Sequence, residues 1–197
     1  MYLTGVGGRI GTASSSGDFE IFTDTIALAG NPLIQTNGNL TIKPYSAGKT
    51  VGVGSGQGNL SLTEPILQRL NWGTAATGKT LTLGATYAAD LAVNTTSTIL
   101  NKNVTLLTGT DILIATNAFT HAGASSSTLT ALAYGNIRVS TAITALNTPL
   151  GVVLQADYDA NSSGFIAIAS TITTNGADFI ARPSRNPQNA SAPTEPL

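Results

Sequence analysis

The chain's single histidine, His121, sits in Thr120-His121-Ala122-Gly123, with Ser125, Ser126 and Ser127 following closely. An imidazole can take a serine's proton when a carboxylate such as Asp111 holds the ring in place. No nucleophile-elbow pattern frames these serines, so nothing in the sequence fixes a nucleophile to the base. Asp90 and Asp111 form a second constellation, because each opens an apolar–any–apolar run and the two stand 21 residues apart. Paired carboxylates on neighbouring strands are what polysaccharide hydrolases and lyases require. Asn136 and Gly164 occupy the corresponding place before the next two runs, however. Asp, Asn and Gly replace one another where a turn needs their conformations, so turn chemistry explains the column better than catalysis. Asp157, Asp159 and Asn161 carry oxygen ligands at alternate positions, as a calcium loop does. That loop lacks the sixth-position Gly and twelfth-position Glu of an EF-hand, and a polar connection between strands accounts for it equally. Gly52-Val53-Gly54-Ser55-Gly56-Gln57-Gly58 has the look of a phosphate loop but no Lys-Ser/Thr pair and no following core helix. Its glycines are expected to make a bulge or corner. The expectation is therefore no assembled catalytic site, no cofactor and no metal centre, with Asp157, Asp159 and Asn161 the calcium candidates.

The composition that must position these residues is unusual. Of 197 residues, 42% are hydrophobic but only 10% are charged, against about 25% in ordinary soluble domains. Ser, Thr, Asn and 21 glycines take the place of charge, a mixture suited to turns and hydroxyl-lined strands rather than to long solvated helices. Nine Lys and Arg are scattered along a chain of net charge −1. Counterion release needs clustered basic groups, so nucleic acid is excluded as a partner, and binding to anionic membranes is weakened by the same argument. No cysteine is present, which removes thiolate chemistry and disulfides. No apolar run is long enough for a membrane-spanning helix, so no membrane insertion is expected. Met1-Tyr2-Leu3-Thr4-Gly5 has neither a basic nor an apolar leader segment. The expectation is an internal piece of a longer exported chain, or export by another route.

Short alternating runs recur throughout, each bounded by Gly, Asn, Asp or Ser. Leu40-Thr41-Ile42, Leu60-Ser61-Leu62 and Leu81-Thr82-Leu83 start 20 and 21 residues apart. Apolar residues at i and i+2 with a hydroxyl between have the period of a half-buried strand, and fixed spacing above 20 residues signals a repeat. In the second half, runs opened by Asp90, Asp111, Asn136 and Gly164 begin 21, 25 and 28 residues apart. Each follows another strand (from Thr80, Val104, Thr128 and Gly151) and precedes a third short run, such as Ser97–Leu100 or Ser170–Thr173. Three short strands per unit of about 22 residues describe one circuit of a three-sided parallel β-helix, or solenoid. A lone circuit leaves its backbone N–H and C=O groups unpaired, so circuits must stack and both ends of the stack stay adhesive unless capped. Thr63-Glu64-Pro65 opening the segment to Trp72 predicts a short helix inserted near 63–72. The fold is expected to cover residues 1–181, with 182–197 a Pro-rich tail or linker. Tyr45, Trp72, Tyr87, Tyr134 and Tyr158 share no repeat column and are expected over loops and the helix seam. The Thr ladder is interrupted at Ser61, Ala92, Arg138 and Ala167, which speaks against a flat ice-binding face.

Three stretches carry a family resemblance: Gly8-Arg9-Ile10-Gly11-Thr12; Gly38-Asn39-Leu40-Thr41-Ile42-Lys43-Pro44 with Ala47-Gly48-Lys49-Thr50-Val51-Gly52-Val53-Gly54; and Gly58-Asn59-Leu60-Ser61-Leu62 through to Leu81-Thr82-Leu83-Gly84. Together they resemble the repeat regions of large bacterial exoproteins of the filamentous-haemagglutinin type. The resemblance spans about residues 5–181. It implies a right-handed parallel β-helix, an extracellular or cell-surface location, and an adhesive or scaffold role. The sequence therefore predicts a non-enzymatic structural or adhesive segment that self-associates through its ends, possesses no reactive centre, and contacts a host surface or glycan. The alternative is a β-helix protein that binds or cleaves polysaccharide.

Overall fold

The computed structural model describes residues 2–4, 9–12, 14, 16–29, 32–73, 78–96, 98–115, 117 and 119–183. The architecture is nearly all-β, and every strand pairing is parallel. The first sheet has seven strands in strict chain order: Phe19–Phe22, Leu40–Lys43, Thr80–Ala85, Asn103–Thr108, Ser127–Ala133, Leu150–Gln155 and Phe179–Arg182. The second has six: Leu60–Leu62, Val51–Gly54, Leu91–Asn94, Ile112–Ile114, Ile137–Val139 and Ile166–Ile168. Two three-stranded sheets follow, one of Phe119–His121, Ile143–Ala145 and Ile172–Thr173, the other of Arg9–Ile10, Leu33–Gln35 and Leu70–Asn71. Tyr2–Thr4 pairs with Ala27–Ala29. From Asn103 onward the chain visits first, second and third sheets in unbroken rotation, ending on Phe179–Arg182.

Alternation puts one side of each strand into a shared core. Ile42, Leu83, Leu106, Ala131 and Leu154 align across the first sheet, and all are fully buried. Leu60, Val51, Leu91, Ile112 and Ile137 do the same in the second. Thr82, Thr105 and Thr130 fill the positions between on the first sheet's outer face, where a β-branched hydroxyl residue suits a half-wet strand.

Four expectations need correction. Leu60 is not equivalent to Leu40 and Leu81, because those two pair in the first sheet while Leu60 lies in the second. The second-sheet register aligns Ile137 with Ile166, so Phe165 rather than Gly164 shares the column of Asp90, Asp111 and Asn136. The added residue is taken up in the long loop after Gln155. The third run at 97–100 is a 3-10 helix, Thr98–Asn101, rather than a strand. The helix expected near 63–72 is confined to Glu64–Leu67, after which Leu70–Asn71 returns to strand against Leu33–Gln35. Of the expected tail, residues 184–197 lie outside the described residues.

Candidate functional site

The Asp and Asn residues that open the strands share one geometry. In the second sheet Asp90 Oδ1 accepts from the Asp111 N–H at 3.3 Å and from Thr110 Oγ1 at 2.6 Å. Asp111 Oδ1 accepts the Asn136 N–H at 2.7 Å, and both its oxygens accept from Asn136 Nδ2 at 3.1 Å. Asn136 Oδ1 then accepts the Phe165 N–H at 3.1 Å, and Asn59 Oδ1 takes the Thr50 N–H. The first sheet repeats the device: Asp18 to Asn39, Asn39 to Thr80, and Asn103 to Thr128. Each side chain caps the N–H of the equivalent residue on the neighbouring strand of its sheet. Such bonds give the Asp90 and Asp111 carboxylates a structural task, fastening one strand entrance to the next.

His121 is fully buried at the end of Phe119–His121. Its Nδ1 lies 2.8 Å from the Leu100 carbonyl oxygen, which requires the proton to sit on Nδ1. Nε2 lies 2.8 Å from Thr148 Oγ1. Ser127 is brought beside the ring, its Oγ 3.2 Å from Nδ1, but that hydroxyl donates to the same Leu100 carbonyl at 2.5 Å. A protonated Nδ1 offers Ser127 no acceptor, so the pair forms a hydrogen-bonded plug beside the 3-10 helix. Asp111 is occupied in the second-sheet column instead.

Asp157, Asp159 and Asn161 share one loop, but their oxygens turn onto the loop's own donors. Asp157, itself fully buried, accepts the Ser162 and Ser163 N–H groups at 3.0 and 3.3 Å. Asp159 Oδ2 accepts from Asn161 Nδ2, and Asn161 Oδ1 from the Ser163 N–H, each at 2.8 Å. Asp157, Ala160 and Ser162 all adopt positive φ, the signature of a tightly wound turn. Among the described residues no group of three or more His, Cys, Asp or Glu is placed to hold a metal ion.

The glycine run, expected as a bulge or corner, makes a tight return between neighbouring strands. Val51–Gly54 and Leu60–Leu62 are parallel neighbours joined only by residues 55–59, whereas parallel strands usually need a crossover of about a dozen residues or more. The short return is made by laying the loop flat on the outer face of Val51–Gly54, whose four residues are all buried. A Cβ on Gly52 would strike the Gly56 carbonyl, one on Gly56 the Ala92 carbonyl, and one on Gly58 the Gly52 nitrogen.

Beside this loop lies a groove of about 690 Å³ on the outer face of the second sheet, lined by Gln57, Asn59, Asp90, Asp111, Leu113 and Arg138 among others. Arg138 stacks 5.3 Å over the Phe165 ring at its margin. Sequence reading registered Arg138 only as a break in the Thr ladder. Its outward slot between Ile137 and Val139 was the available signal.

The perturbed groups are structural. The Asn39 N–H, then the Asn39 side chain, hold the Asp18 carboxyl below its usual range. The Ser46 hydroxyl, then its N–H, do so for Asp24. Burial lowers Lys102, whose Nζ donates to the Trp72 carbonyl at 2.6 Å and sits 4.9 Å over the indole. Compared with family models, curated proteins and solved structures, the chain matches none.

Proposed function

We propose that this chain is a right-handed, three-sided β-solenoid segment with a non-enzymatic structural or adhesive role, of the kind found in large bacterial exoproteins displayed outside the cell. The observation that carries the reading is the rotation of the chain, from Asn103 onward, through three parallel sheets in fixed order. Asp90, Asp111 and Asn136 fasten successive strands and His121 is enclosed by Leu100, Ser127 and Thr148, which supports a mechanical rather than catalytic role. Right-handedness rests on the resemblance to filamentous-haemagglutinin-type repeats. An experimental structure with left-handed or two-sided winding would defeat the fold proposal. Immunogold labelling of intact producing cells is expected to decorate their surface or surroundings, and label confined to the cytosol would defeat the localisation.

The groove at Arg138 favours a second reading, polysaccharide binding or cleavage. Its floor offers an exposed Leu113 beside Asp90, Asp111 and a cation. Glycan binding or turnover abolished by Arg138→Ala, with the fold retained, would establish it over the first.

A further inference from the structure

The two ends of the stack carry complementary edges. On the last circuit, Ile168 is 41% exposed and Phe179 44%, while their partners Val139 and Val152 are fully buried. Ile166 and Ile172 are half-buried, against fully buried Ile137 and Ile143. At the opposite end Ile10 and Phe19 are half-buried, against fully buried Ile34 and Leu40. Among the described residues, both ends therefore present inward-facing apolar residues less covered than their interior partners.

Their first-sheet phases match as well. The described chain ends on a first-sheet strand, Phe179–Arg182, so the next strand of the rotation belongs over Ile166–Ile168, the one after over Ile172–Thr173, and then one over Phe179–Arg182 itself. Of the opening strands, Phe19–Phe22 is the outermost strand of the first sheet, whereas Tyr2–Thr4 and Arg9–Ile10, which precede it, lie in sheets of their own. In register, inward Phe179 and Ala181 would meet inward Phe19 and Ile21. Asp178 stands in the column where Asp18, Asn39 and Asn103 each cap the following N–H, and a second copy would bring the Asp18 N–H there. The Asp90–Asp111 pair shows that two aspartates are tolerated in such a column.

We propose that a second copy of this chain docks its opening strands on the last circuit of its neighbour, head to tail, with Phe19–Phe22 continuing the first sheet from Phe179–Arg182 across the junction. This rests on the solenoid reading above. A head-to-tail contact does not close on itself, so repetition builds a filament. Residues 184–197 are the rival cover, but they offer only Ala190, Ala192 and Leu197 as apolar residues and three prolines that cannot donate to a ladder.

The purified chain is expected to gain mass with concentration in light scattering and to form thin filaments by electron microscopy. The double variant Ile168→Lys/Phe179→Lys blocks one end and Ile10→Lys the other. Each alone should stay monomeric, and an equimolar mixture should form dimers, since each keeps one competent end. Because the chain has no cysteine, a Glu20→Cys/Ile180→Cys variant tests register: oxidation should give a ladder of disulfide-linked multimers. Monomers at all concentrations, assembly indifferent to the lysines, failure of the mixture to dimerise, or association seen only after deleting residues 184–197 would each overturn the proposal. Circular dichroism separates the two levels. A β spectrum with no assembly sinks the docking alone, whereas loss of the β signal in the parent chain sinks the solenoid reading itself.

Discussion

Asp111 illustrates how a residue with catalytic chemistry becomes a fastener when it stands at a strand entrance. Its carboxylate accepts one N–H and a side-chain amide from Asn136, and each hydrogen bond to a charged acceptor is worth about 1.5–3 kcal/mol. Asp111→Ala should lower stability in urea by about 1–3 kcal/mol. Asp111→Asn, which keeps an acceptor for the Asn136 N–H, should lose less, and equal losses would show that the bond to that N–H matters little. Asp18 and Asp24 extend the argument to pH. Both folded pKa values lie below the ordinary aspartate range, so the stabilisation is complete above that range and disappears as pH falls through the folded values. Melting temperature should therefore fall below about pH 4, and the fall should be smaller in Asp18→Asn/Asp24→Asn; an unchanged acid limb would contradict the assignment. His121 follows the same logic. With Leu100, Ser127 and Thr148 around a fully buried ring, His121→Ala strands polar groups and opens a cavity, and a loss of about 2–4 kcal/mol is expected in urea unfolding.

At the level of elements, strands of the first and second sheets were legible because apolar residues recur at every other, inward position, as Val104 and Leu106 do in Asn103–Thr108 and Ile112 and Ile114 in Ile112–Ile114. The third side was less so. Its strands run two or three residues, too short for a period to declare itself, and at Thr98–Asn101 a similar composition yields a 3-10 turn with Ile99 and Leu100 buried. Leu60–Leu62 was misplaced for another reason. Composition cannot reveal that the glycine loop doubles the chain back over Val51–Gly54. That loop makes its own prediction: Gly56→Ala drives a methyl against the Ala92 carbonyl and should cost about 1–3 kcal/mol through overpacking. The same change at Gly48, where a Cβ meets nothing within 4 Å, suffers only its positive φ and should cost less. Comparing the two by thermal unfolding tests whether close approach or conformation governs this loop.

Across the whole molecule, the candidate sites proved harder to read than the architecture, because spacing shows which residues recur but not which hydrogen bonds occupy them. Repetition also distributes stability unevenly: an interior strand is covered on both flanks, a terminal one on a single flank. Leu106, fully buried between Leu83 and Ala131, should cost about 2–5 kcal/mol on replacement by Ala. Ile168, on the last strand of the second sheet and 41% exposed, should cost under about 1 kcal/mol in dilute solution. If a second copy covers that end, the Ile168→Ala penalty must grow with protein concentration, because association stabilises the folded state by mass action. The Leu106→Ala penalty has no such term. Urea titrations of both variants and the parent chain, at low and at hundredfold higher concentration, should therefore spread apart for Ile168→Ala and run parallel for Leu106→Ala; parallel behaviour of both would show that no second copy covers Ile168.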